Sequence, residues 1–237
     1  MATVLPSSSG ISAADYLRRT LHKDKIILVG HSLGSIVGVL MARARPDLLY
    51  ALVGTGQVAD PPRNYAVAYR ELLKKAKALG ETRAIDELEE IGPPPYQGGR
   101  GYAVQRRWSN FFEGADRFLA TMFGMALMAP GYTARDVNDW LDGQSLSAEK
   151  LVPETAALEP GKLAGELRVP VFVIQGDEDF TTPTSLARQF LRSIQAPRKV
   201  FVALRGGGHF AVFIQSAEFL RELRARVRPL AMRSRAP

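Results

Sequence analysis

The sequence predicts an α/β fold: a mainly parallel sheet of about four strands, interrupted by an inserted block of helices. Three observations carry this. Short runs at 25–29, 49–53, 169–174 and 199–204, apolar except for a leading Lys25 and Lys199, alternate with helical patterns. A strand apolar along its whole length is one covered on both faces, as in a parallel sheet. Between about residues 60 and 165 the strand signal disappears while helical periodicity continues. Finally, 237 residues at 46% hydrophobic and 23% charged have the balance of a globular chain, long enough to bury a substantial core.

In order, residues 13–21 read as an amphipathic helix and 25–29 as a buried strand. Residues 32–45 form a helix apolar on nearly every face, stopping before Pro46, and 49–53 return to strand. Helices follow at 65–79, 81–90, 104–127 and 135–141, divided by Pro- and Gly-rich breaks at 91–95 and 97–101. Alternation resumes with strand 169–174, helix 183–194, strand 199–204 and helix 213–227. The expected organisation is a discontinuous core, 1–59 and 166–237, around a helical cap at 60–165. No firm strand precedes residues 25–29, so that strand is expected at an open sheet edge, which is an association hazard unless covered. Either Thr3–Leu5 adds a short strand there, or a second copy covers the edge as a homo-oligomer.

Composition removes several chemistries. Without cysteine there are no disulfides, thiolate zinc sites or cysteine nucleophiles, and three histidines argue against a histidine-rich metal site. The longest greasy stretch, 118–129, is too short to span a bilayer. The first ten residues lack the basic start and apolar run of a secretory signal, which predicts a cytoplasmic protein. Of the net charge of +7, +5 resides in residues 221–237, where six arginines face one acid. This reads as a basic helix end followed by a loose tail beyond Pro229, and not as a nucleic-acid surface, because no base-stacking or groove-reading motif accompanies it.

At the first strand-to-helix junction stands Val29-Gly30-His31-Ser32-Leu33-Gly34-Ser35, which contains Gly-x-Ser-x-Gly. A serine in this position sits on a strained turn, flanked by small Gly30 and Gly34, with its hydroxyl presented at the C-terminal edge of the sheet. The N–H of Leu33 then faces a developing oxyanion. Serine needs a base to take its proton, and the base needs an orienting carboxylate. His209 follows the fourth strand on a glycine-rich loop, while Asp177, Glu178 and Asp179 follow the third. The other histidines read differently: His22 as a surface residue, and His31, beside the serine, as a packing residue. Ser35 is read as helix packing, and the Met/Phe stripe at 118–128 as either an acyl pocket or the cap's own core. A rival motif, Gly54-Thr-Gly56-Gln-Val-Ala59, matches a dinucleotide fingerprint, but Asp60-Pro61-Pro62 follows at once and no compact βαβ unit does.

With these motifs in place, the chain resembles the α/β-hydrolase superfamily over residues 11–228, and within it esterases and prolyl aminopeptidases that carry a helical cap. The resemblance implies an α/β-hydrolase-like fold with a shortened N-terminal part, and a serine hydrolase. By carry-over, Ser32 is the nucleophile, Asp179 the acid, His209 the base, Leu33 an oxyanion-hole donor, and Gly30, His31 and Gly34 the nucleophile elbow. Asp179 is selected because the family's acid commonly follows a glycine by three positions, here Gly176. Family members also carry a glycine run upstream that supplies a second oxyanion donor; here only Gly10 precedes Gly30, so residues 7–10 are the candidate replacement.

The expected reaction is hydrolysis of a small-molecule carboxylic ester through an acyl-enzyme, without metal or organic cofactor. Two alternatives stay open. An aminopeptidase needs cap acids for the substrate amine, and Glu87, Glu89, Glu90, Glu113 and Asp116 are available. A catalytically impaired, shortened hydrolase would serve as an interaction module.

Overall fold

The structure is a computed structural model and describes residues 7–156, 158 and 163–232. Among these, four parallel strands, β1 (Ile26–His31), β2 (Leu49–Thr55), β3 (Val171–Gly176) and β4 (Lys199–Leu204), lie side by side in chain order. The register sets Gly30 beside Gly54 and His31 beside Thr55, with Gly176 beside Leu204. All four strands therefore end at one edge of the sheet, and the loops that follow them share that edge.

The unbroken apolar runs have the expected cause. Every residue of β3 is buried, and every residue of β2 except Tyr50. Successive side chains alternate between faces. Leu52, Val171 and Val173 pack on one face against Ile36 and Val39 of α2 (Leu33–Ala44) and against Leu186 and Phe190 of the helix Thr184–Ser193. Ala51, Val53, Phe172 and Ile174 pack on the other against Val212 and Val227 of the C-terminal helical segment. The helix α1 (Ser7–Thr20) lies on α2. Among the described residues β1 is an edge strand, and its Val29 is 45% exposed.

Among the described residues, five helices intervene between β2 and β3: α3 (Pro61–Leu79), α4 (Thr82–Ile91), α5 (Gly99–Glu113), α6 (Ala115–Met128) and α7 (Ala134–Ala156). Asp60 caps α3, its carboxylate accepting from Arg63 N–H at 3.2 Å. Leu72, Leu88 and Trp108 build a separate core among these helices, which Phe180 from the loop after β3 completes. The single helix expected over 104–127 is two, because Gly114 takes a left-handed conformation (φ 64°) that ends α5. The last of the five extends from 134 to 156, far beyond the 135–141 pattern.

The helix Thr184–Ser193, α8, joins β3 to β4, and after β4 come α9 (Ala211–Ile214) and α10 (Ser216–Glu222). A π-helical turn at Leu223–Val227 and a final helix, α11 (Arg228–Met232), carry helical structure past Pro229, where a loose tail was expected. Thr3–Leu5 lies outside the described residues. No helix among the described residues is long and apolar enough to cross a membrane.

Phe172 is fully buried at the centre of the sheet. Phe172→Ala is expected to lower the free energy of unfolding by about 3–5 kcal/mol, read from equilibrium urea denaturation.

Candidate active site

Ser32 follows β1 and precedes α2 with no intervening loop. Its backbone is forced to φ 52° and ψ −124°, a conformation uncommon for a residue with a side chain. Its N–H still pairs with the Thr55 carbonyl at 2.9 Å, so the residue remains tied to the sheet as the chain turns into the helix. Gly30 is required by close approach: a Cβ there would run into the Gly34 carbonyl. Gly34 is different, since a Cβ at that position would meet open space. Ser35 clamps the turn, its hydroxyl donating to the Ser32 carbonyl at 2.6 Å and accepting from Val58 N–H at 3.0 Å. Leu33 opens α2, so its N–H is one of the helix's unpaired first-turn donors.

The loops after β3 and β4 bring Asp179 and His209 to this serine. His209 Nε2 lies 3.1 Å from Ser32 Oγ, and His209 Nδ1 lies 3.1 Å from Asp179 Oδ2. With Nδ1–H directed at the carboxylate, Nε2 is left to accept from the serine hydroxyl. Asp179 and His209 are 1% and 4% exposed, so this exchange is shielded from water. Thr182 holds the acid in place: its N–H donates to Asp179 Oδ1 at 2.6 Å and its hydroxyl to Oδ2 at 2.8 Å. The same hydroxyl sits 3.1 Å from His209 Nδ1. Gln175, at the end of β3, donates to Asp179 Oδ2 at 3.3 Å and accepts from Gln57 N–H at 2.9 Å. Sequence reasoning missed Thr182 and Gln175. The Asp-x-x-Thr spacing was a legible signal for the first, being the pattern of a side chain that bonds the backbone three residues on.

The neighbouring acids are occupied elsewhere. Asp177 accepts from Gly206 N–H at 2.7 Å, and Glu178 pairs with Lys75 of α3 at 2.7 Å. The Gly54–Ala59 segment forms a wall behind the histidines. Gly56 has φ 48°, and a Cβ on it would come within 2.7 Å of His209 Cε1. His31 takes a different partner from His209, hydrogen-bonding Thr55 Oγ1 through Nδ1 at 3.0 Å with its ring edge-on to Phe213. Burial, and secondarily the adjacent His209, push its pKa down to about 4.

Ser32 and Leu33 line a cavity of about 450 Å³ together with Ile36, Val58, Tyr65 and Leu151. Among the described residues its single charged lining residue is Arg106, and no acid lines it. Of the cap acids considered for an amine, Glu87, Glu89 and Glu90 pair with Arg83, Lys77 and Arg100, and Asp116 is exposed at the start of α6. Glu113 is buried, with backbone N–H groups of Phe180, Thr181 and His209 donating to it. The stripe at 118–128 neither lines this cavity nor forms a core: of α6 only Ala115 is buried, and Met125 and Met128 are 61% and 85% exposed. Residues 7–10 open α1, where Gly10 packs on Met41 near the far end of α2, which removes them as replacement oxyanion donors.

A sequence model of the alpha/beta hydrolase family matches residues 5–223. A curated relative, the probable aminopeptidase YbaC of Bacillus subtilis (strain 168), is 25% identical over 204 residues, covering 84% of this chain. The chain spans only 64% of that relative's length. Among solved structures, a proline iminopeptidase-related protein from Thermus thermophilus superposes with a TM-score of 0.54 at 15% identity, over 94% of this chain and 72% of that one. An alpha/beta fold family hydrolase from Bacillus anthracis str. Sterne gives 0.51 at 14% identity, over 92% and 73%. Both likenesses are likenesses of fold.

The histidine beside the serine makes stability depend on acid. Unfolded, His31 takes a proton near its ordinary 6.5; folded, only near 4. Between those values the unfolded chain binds the extra proton, so stability is lost as pH falls from 6.5 towards 4 and is unaffected above. Discounted for partial exposure, the loss is on the order of 2 kcal/mol. Urea unfolding at a series of pH values is expected to show this slope, and His31→Phe to remove it.

Proposed function

The chain belongs to the alpha/beta hydrolase family, and on that premise we propose that it is a serine hydrolase cleaving carboxylic esters through an acyl-enzyme on Ser32. The observation that carries this reading is the unbroken chain Ser32 Oγ, His209 Nε2, His209 Nδ1, Asp179 Oδ2, with both links at 3.1 Å and the serine opening into a cavity. His209 takes the Ser32 proton as Oγ bonds to the ester carbonyl carbon. The charge that develops on the carbonyl oxygen is met by the Leu33 N–H at the positive end of α2. Collapse of the tetrahedral intermediate breaks the bond to the alcohol, which leaves with the proton from His209. Water then attacks the acyl-enzyme with His209 as base again, releasing the acid and restoring the Ser32 hydroxyl. Asp179 orients the ring and stabilises the imidazolium. The helices between β2 and β3 act in this reading as a cap that forms one wall of the acyl cavity.

An aminopeptidase is the second reading, favoured by the name of the curated relative. Against it stands the cavity's charge. A substrate ammonium needs a carboxylate, and among the described residues the only charged one lining the cavity is the cation Arg106. A small neutral ester meets no such mismatch. Among the described residues no strand pairs with the outer edge of β1, where Val29 is half-exposed, and this fits pairing with a second copy.

A fluorophosphonate probe is expected to modify Ser32, as located by peptide mapping. Ser32→Ala should abolish labelling, and His209→Ala should slow it by more than about 10³-fold. Short p-nitrophenyl esters should be turned over and proline amides should not. Turnover of proline amides without esters would establish the second reading, and folded protein that never labels would leave the interaction-module alternative.

A further inference from the structure

We propose that Glu113, carried by the cap helix α5, is the positioning residue that holds the acid and base loops in mutual register, so that hydrolysis depends on how the cap is seated. The proposal rests on the Ser32–His209–Asp179 reading and asks what aligns those groups.

Glu113 is the last residue of α5 and is 8% exposed. Its Oε1 accepts from Phe180 N–H at 2.8 Å, Thr181 N–H at 2.7 Å and the Thr181 hydroxyl at 3.1 Å. Its Oε2 accepts from His209 N–H at 3.1 Å. One carboxylate thus collects main-chain donors from two loops that follow different strands. One donor belongs to the residue just after Asp179, and another to His209 itself. A shift of Glu113 would move the backbone at both ends of the Asp179–His209 hydrogen bond. The packing leaves no slack: a Cβ on Gly208 would come within 2.6 Å of Glu113 Cγ. Phe180 anchors the same acid loop a second time, by completing the hydrophobic core of the cap helices.

Stability alone gives a poor account of this carboxylate. Burial, and then the nearby Asp179, raise its pKa above the ordinary carboxylate range, so the ionised form is held at a cost. An apolar side chain would fill a joint between cap and core without that cost. What the carboxylate provides is directed acceptors for donors on two loops. Glu113 does not line the cavity that holds Ser32, so its role is positioning and not contact with substrate.

The test uses the full chain with Glu113→Gln and Glu113→Ala. The Gln oxygen can keep the Phe180 and Thr181 donors while its NH₂ opposes the His209 N–H; Ala releases both loops. Competent sites are counted by fluorophosphonate titration, and p-nitrophenyl butyrate hydrolysis is expressed per titrated site. The kcat is expected to fall about 10-fold in Glu113→Gln and about 10²-fold in Glu113→Ala, with KM within about 3-fold of the unmodified chain, as small misplacements of reacting groups do. Unchanged kcat per site in folded variants would overturn the proposal, as would a loss appearing wholly in KM. If Ala does not fold, the Gln variant decides. Failure of both to fold also overturns it, since the carboxylate would then be a determinant of stability. Should the unmodified chain never label at Ser32, the hydrolase reading has failed and not the role of Glu113 within it.

Discussion

The left-handed backbone at Ser32 is the constraint on which the site depends. A residue with a side chain at φ 52° is held at a cost of order 1–3 kcal/mol, and the surroundings must over-determine it. They do so from both sides. The Ser32 N–H remains bonded to Thr55 on the neighbouring strand, while its carbonyl is taken by the N–H and hydroxyl of Ser35 in the new helix. The bare Gly30 allows the helix backbone to lie directly over the strand. Because β1, β2, β3 and β4 run parallel and end together, the loops bearing the acid and the histidine arrive at this same turn.

Charge is managed around that turn by burial with assigned partners. Asp179 is satisfied by Thr182, Gln175 and His209, and Glu113 by donors on two loops. A buried carboxylate without such donors would cost several kcal/mol or take up a proton. His31, whose ring centroid lies 4.8 Å from that of His209, is driven towards its neutral form, so it places no charge beside that ring. The cavity beside the serine is the contrasting region, mostly apolar in its lining with one arginine.

Much of this was legible along the chain. Parallel strands buried on both faces must be apolar throughout, so β2 and β3 announced themselves, and the order Ser32, Asp179, His209, each after a different parallel strand, pointed to the residues now found within hydrogen-bond distance. The misses have physical causes. The break at Gly114 was masked because apolar residues continue on both sides of it, and periodicity does not register a left-handed residue. The outward face of α6 was unreadable because an apolar stripe records that something is to be covered, not what covers it. Gly34 belongs to the motif, yet its space is open, so the motif overstated what sterics demand.

What the sequence by itself determined is therefore local: alternating strands and helices, the sharp turn at Gly30–Gly34, and the loops that bear Asp179 and His209. These follow from short-range rules, the two-residue and 3.6-residue periods and the small residues that a turn tolerates. Only the tertiary structure decided that Glu113, 66 residues before Asp179 in the chain, lies beneath both loops, and that the cavity carries a cation in place of acids. Those are outcomes of how the helices between β2 and β3 pack against the sheet and its loops. Each depends on contacts between residues remote in sequence, for which no local pattern exists.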